Sequence, residues 1–194
     1  AFKRILDQLQ FADGGGITIN HPVWSKQKFE ETVEMLDFDP RVLGIEIWNH
    51  TCERINHKGW ALELWDKLLT TGRRCWGFSV SDHVHQSGPD FLGYNVLLID
   101  AGTPAPQLPQ ACLKAYRNGQ FYCVLQGDVR FESIQLIGDS LQVETNLPCA
   151  MRVISATGVV SEQSGTHLEW QLPTEQKERA RRQYLRLEAD QLQG

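Results

Sequence analysis

The side chains able to do metal or acid–base chemistry are unevenly spread along this chain. Of its six histidines, His21, His50, His57, His83 and His85 lie in the first half and only His167 lies later. His21 begins a His-Pro pair directly after Ile17-Thr18-Ile19-Asn20, and the cluster Asp82-His83-Val84-His85 follows Cys75-Trp76-Gly77-Phe78-Ser79-Val80. Both preceding runs read as buried strands. Imidazole and carboxylate together suit borderline divalent metals such as Zn²⁺, Mn²⁺ or Fe²⁺. In extended backbone, side chains two apart share a face, so His83 and His85 would point together, with Asp82 joining through the turn. A lone His-Pro is more often a loop that caps backbone groups. Two such clusters at two strand ends favour metal binding instead.

These residues can meet only if the surrounding elements bring the strand ends together. Val42–Trp48 is an apolar run that reads as a further strand, and Tyr94–Ile99 as a fourth. Between them lie stretches with helical spacing. Phe29, Val33 and Leu36 mark a helix over 26–36 with Ser25 as its N-cap. Leu62, Trp65, Leu68 and Leu69 form one face of a helix over Gly59–Thr71, with Gly72 placed to cap its C-terminus. Leu108–Arg117 is a third, ended by Asn118-Gly119. Strands alternating with helices predict parallel pairing with crossover helices. In such folds the loops after the strands gather on one face, where functional residues collect.

From residue 128 the texture changes. Short alternating runs at Ser133–Ile137, Leu141–Thr145, Met151–Ser155, Leu168–Leu172 and Tyr184–Ala189 read as antiparallel strands, and Gly138-Asp139 as a hairpin turn. Thr174–Arg182 reads as a charged loop or helical turn. The expected organisation is an α/β domain over 1–127 and a small β-rich appendage over 128–194, which could cover the first domain or support homo-oligomerisation.

Composition narrows the classes of function. The net charge is −5 and basic residues are scattered until Lys177–Arg182, so no nucleic-acid partner is expected; phosphate binding needs clustered Lys and Arg. No apolar run approaches a membrane span. Five cysteines without a Cys-x-x-Cys pair fit reduced core thiols in a cytoplasmic protein better than a disulfide framework. Five of the six tryptophans, Trp24, Trp48, Trp60, Trp65 and Trp76, could line an aromatic cleft, though at these spacings they more often belong to a core. Gly14-Gly15-Gly16 precedes a strand, not a helix, and is no phosphate-cradling loop.

Several segments together resemble the PHP (polymerase and histidinol phosphatase) family, in its carbaryl-hydrolase-like branch. They are Gly15-Gly16-Ile17-Thr18-Ile19-Asn20-His21-Pro22, Gly44-Ile45-Glu46-Ile47-Trp48-Asn49, Ala61-Leu62-Glu63-Leu64-Trp65-Asp66-Lys67-Leu68-Leu69 with Gly72-Arg73-Arg74-Cys75-Trp76-Gly77-Phe78, and Gly119-Gln120-Phe121-Tyr122. Their order covers most of residues 14–123. The resemblance implies the later part of a distorted β/α barrel, with divalent metal ions at the strand C-termini activating water against a phosphoester or another ester. By the same resemblance His21 is a metal ligand and His85 matches the histidine of a terminal Asp-x-His motif. His83 stands where that motif has aspartate, and Asp82 matches the first of two consecutive aspartates in other members. The family's opening His-x-His and the acidic and histidine ligands after it have no counterpart ahead of Gly14, so an N-terminal segment of the same protein is expected to complete the site, and this chain alone is expected to be inactive.

The resulting expectation is a metal-dependent hydrolase of a small-molecule ester, with His21, His85 and Asp82 on the metal and Asp82 or His83 as catalytic base. Asn20 and Asn49 end strands and could touch substrate or cap loops. Glu46 could be a buried carboxylate held by hydrogen bonds. The rival class is a PHP-like binding or interaction module that has lost its metal set, which His83 in the aspartate position favours.

Overall fold

The computed structural model describes residues 2–8, 15–83, 92–172 and 184–192. Two compact units are present, one comprising Ala1–Leu68 with Arg74–Leu125, the other Leu69–Arg73 with Gln126–Gly194. The chain is mixed α/β, with one parallel and two antiparallel sheets and no closed barrel among the described residues.

After a short helix α1 (Phe2–Leu6), the first unit is built around β1 (Ile17–Ile19), β2 (Val42–Asn49) and β3 (Trp76–Val80), paired in parallel in that order. All eight residues of β2 are buried. A central parallel strand is covered on both faces, which is why its sequence is a nearly unbroken apolar run. Gly44 is required there by crowding, because a Cβ would collide with the Trp76 carbonyl oxygen and come 2.6 Å from the Trp76 nitrogen.

Helix α2 (Phe29–Phe38) connects β1 to β2 and buries Thr32 and Leu36. It begins three residues later than its apolar spacing predicts, with Lys28 as N-cap. The Glu31 side chain accepts the Lys28 backbone N–H at 3.0 Å, so this helix is capped by a reaching-back carboxylate, not by Ser25. Helix α3 (His50–Asn56) starts directly off β2. Asn49 caps its start, and His57, in the left-handed conformation, closes its end. Helix α4 (Leu62–Thr70) is shorter than its pattern suggests. Leu68 on its buried side is fully inaccessible, and the Trp65 indole N–H donates to the Cys75 carbonyl at 2.8 Å.

The next pair departs from the parallel expectation. β4 (Tyr94–Leu97) runs antiparallel to β5 (Phe121–Val124), with a short 3-10 turn (Ala105–Gln107) and α5 (Leu108–Asn118) between them. The Asn95 side chain joins this ribbon to β3, accepting from the Ser79 N–H at 3.1 Å and donating to the Ser79 carbonyl at 3.0 Å. A side-chain amide thus stands in for the missing backbone ladder. The rings of Phe78, Tyr116 and Phe121, with centroids 4.9 to 5.7 Å apart, pack α5 and β5 over β3.

The second unit is an antiparallel sheet of β6 (Phe131–Ile137), β7 (Ser140–Ser155), β8 (Gly158–Gln171) and β9 (Leu185–Gln191). Gly138, at φ 62°, makes the β6–β7 turn. β7 is one long strand where the sequence reads as two, because β8 pairs with both of its halves. Leu141, Val143, Cys149, Met151, Val153 and Leu168 form the buried cluster of this unit. Arg152 of β7 pairs with Glu188 at 2.9 Å and with Asp190 on β9. Thr174–Arg182 lies outside the described residues.

Candidate functional site

The C-terminal ends of β1, β2 and β3 deliver His21, Asn49 and Asp82 to one edge of the parallel sheet. Parallel pairing in register does this without further help, since the three chains leave the sheet on the same side. A continuous set of hydrogen bonds then links them. The His21 backbone N–H donates to Glu46 Oε2 at 2.7 Å. Asn49 Nδ2 donates to the same Glu46 oxygen at 3.0 Å and to Asp82 Oδ2 at 3.1 Å. Asn49 Oδ1 accepts the Cys52 N–H at 2.9 Å. Because that oxygen is committed to a backbone donor, the orientation of the amide is settled, and both of its hydrogens go to carboxylates.

Glu46 and Asn49 are three apart in a strand and would ordinarily face opposite ways. A register irregularity between Glu46 and Trp48 in the pairing of β2 with β3 changes the alternation, so that the two side chains meet. Such bulges commonly re-aim side chains beside functional sites. Glu46 is only 5% exposed. Burial pushes its carboxyl above the usual carboxylate range, while the bonds from Asn49 and the His21 N–H act in the opposite direction and the charge of Asp82 adds to the rise.

His21 and Asp82 each hold the left-handed backbone region, at φ 34° and 50°. Non-glycine residues there are strained, and such strain concentrates at functional sites. Each is held by its surroundings. Thr51 Oγ1 donates to the Ser81 carbonyl at 3.0 Å and the Asp82 carbonyl at 2.9 Å, clamping the turn after β3. After β1, the Ser25 N–H donates to the His21 carbonyl at 3.0 Å, and Ser25 Oγ lies 3.0 Å from His21 Nδ1.

Of the other residues singled out from sequence, Asn20 and His83 take no part in this network. Asn20 is exposed and its Oδ1 accepts from Thr18 Oγ1 at 3.1 Å. Asn49 is fully buried, with its amide used internally as described. His83 is exposed, and its ring stacks on His50 at 6.2 Å. His50 in turn lies 5.5 Å from Trp48, whose ring meets Trp60 edge-on at 6.2 Å. His85 lies outside the described residues. Glu46 was legible as the single charge inside an apolar run; Ser25 and Thr51 carried no signal of their roles.

The donors at this edge match a borderline divalent metal in type: an imidazole whose Nε2 takes no hydrogen bond among the described residues, and the Asp82 carboxylate. In number they fall short, since no three His, Cys, Asp or Glu side chains converge on a possible metal position among the described residues. No helix among them is long and apolar enough to cross a membrane. No protein-family model, curated protein or solved structure matches the chain.

Proposed function

We propose that residues 1–127 are the later part of a PHP-like β/α barrel, and that its strand-end cluster belongs to a metal-dependent hydrolase acting on phosphoester or related ester bonds. The observation that carries this reading is the hydrogen-bonded path from His21 through Glu46 and Asn49 to Asp82, which spans the ends of three adjacent parallel strands. His21 and Asp82 would hold a divalent ion, Mn, Zn or Fe, together with His85 and donors from outside the described residues. Such an ion polarises the scissile group and brings a bound water toward neutral pKa. Asn49 orients Asp82 from behind, Glu46 holds the His21 backbone, and Asp82 or His83 is the candidate base.

The test is elemental analysis of the full natural chain after dialysis, with hydrolysis of bis(p-nitrophenyl) phosphate and p-nitrophenyl acetate measured with and without chelator. The reading expects stoichiometric metal, chelator-sensitive turnover, and loss of both in His21→Ala and His85→Ala. Absence of retained metal together with unchanged turnover in His21→Ala would sink it.

One observation favours the rival reading of a binding module without catalysis. The His83 ring, in the position where the resemblance calls for aspartate, is stacked on His50 and takes no part in the hydrogen-bonded cluster. On that reading His83→Asp leaves metal content unchanged, whereas the hydrolase reading expects it to strengthen metal retention.

A further inference from the structure

The loop after β1 holds a contact that no helix-capping role explains. Ser25 has the residue type and position of an N-cap, yet α2 begins at Phe29 and is capped by Lys28 and Glu31. The backbone from His21 to Gln27 instead closes on itself: the Ser25 N–H donates to the His21 carbonyl at 3.0 Å, the Lys26 N–H to Val23 at 3.2 Å, and the Gln27 N–H to Pro22 at 2.9 Å. This turn carries Ser25 Oγ to 3.0 Å from His21 Nδ1. At its other end, His21 is held by its own N–H on Glu46. Backbone and ring are therefore fixed by three separate hydrogen bonds.

We infer that Ser25 is a positioning residue for His21: its hydroxyl oxygen accepts the Nδ1–H, fixing the ring tautomer so that Nε2, which takes no hydrogen bond among the described residues, carries the lone pair. A neutral imidazole has one protonated and one unprotonated nitrogen, and the partner of one decides the role of the other. Residues that hold a metal-binding histidine in this way typically change metal affinity by about 10- to 100-fold when removed. The metal half of this inference rests on the hydrolase reading above; the tautomer half does not.

Ser25 is exposed, so Ser25→Ala leaves the buried core untouched. The experiment compares the wild-type chain, Ser25→Ala, Ser25→Thr and His21→Ala. ¹⁵N NMR of the His21 ring in the metal-free protein reports the tautomer, and titration with Zn²⁺ alone reports affinity. We expect the wild type and Ser25→Thr to carry the proton on Nδ1, and Ser25→Ala to shift it toward Nε2 and bind Zn²⁺ about tenfold or more weakly. A wild-type ring protonated on Nε2, or an unchanged ring signature in Ser25→Ala, overturns the inference. If His21→Ala binds Zn²⁺ as tightly as wild type, the metal reading fails whatever the ring signature shows. If His21→Ala loses Zn²⁺ while Ser25→Ala keeps full affinity, the metal reading stands and Ser25 has no part in it.

Discussion

Asn49 Nδ2 lies 3.1 Å from Asp82 Oδ2, joining the end of β2 to the turn after β3 through a side chain with no solvent exposure. The same amide serves Glu46 and the first turn of α3. Asn49→Ala therefore strips a donor from a buried carboxylate and leaves the Cys52 N–H without its cap. Buried groups left unpaired cost about 1–3 kcal/mol each, so the loss is expected to be about 3 kcal/mol, read from the midpoint of urea unfolding. A change below about 0.5 kcal/mol, the range of ordinary surface substitutions, would show that the bridge contributes nothing.

Glu46 makes stability depend on pH in the direction opposite to an ordinary paired carboxylate. Its folded carboxyl titrates above the usual 4.5, so beyond that pH the folded state binds more protons than the unfolded one. The contribution to stability is fully present below that pH and is lost as pH rises through the raised folded value. Glu46→Gln keeps an oxygen acceptor for the His21 N–H and the Asn49 amide but removes the charge. It is expected to be more stable than wild type near neutral pH and to lose that advantage toward pH ~4. Urea titrations at several pH values check this, and parallel curves for the two proteins would refute it.

Asp39 should show the reverse. The Arg41 guanidinium, 2.9 Å away through Nε and Nη2, holds its carboxyl down at about 2. Its contribution is present above the ordinary value of 3.8 and is lost as pH falls toward 2. Asp39→Asn is expected to flatten only the acid limb of the stability curve, by a small amount because solvent still screens this half-buried pair.

Gly44→Ala tests the tight approach of β2 and β3. The added methyl has no room against the Trp76 backbone, and backbone cannot swing aside as a side chain can. Overpacking of this kind costs about 1–3 kcal/mol; the upper end is expected here, as a lowered thermal midpoint. Gly72→Ala is the contrast, because nothing lies within 4 Å of its added methyl and only the left-handed φ of 78° opposes it.

All five cysteines are free thiols. Burial pushes Cys75 and Cys123 up to about 12, which leaves almost no thiolate, the form that reacts. Iodoacetamide at pH ~8 is expected to spare both in the folded chain and to label them once urea unfolds it. Mass spectrometry of tryptic peptides reads the outcome. Equal labelling of Cys75 in folded and unfolded protein would contradict the burial described here.

Much of the scaffold was legible because its causes are local. The apolar run of β2, the spacing of Leu62, Trp65 and Leu68 in α4, and the turn at Gly138-Asp139 each reflect preferences that a few neighbouring residues satisfy among themselves. The parallel pairing of β1, β2 and β3 followed from the helices between them. The antiparallel pairing of β4 with β5 did not, since it depends on Asn95 and Cys123 meeting β3 from positions remote in sequence.

The candidate site divides along the same line. Sequence alone determined that His21 and Asp82 end strands, because strand termini are marked by where apolar patterning stops. Only the tertiary structure decided what each side chain touches. A bulge in β2 turned Glu46 toward Asn49, a closed turn placed Ser25 on His21, and burial made Asn49 a bracket between two carboxylates. Hydrogen bonds act over about 3 Å, and sequence separation says nothing about that distance once the chain has folded back on itself.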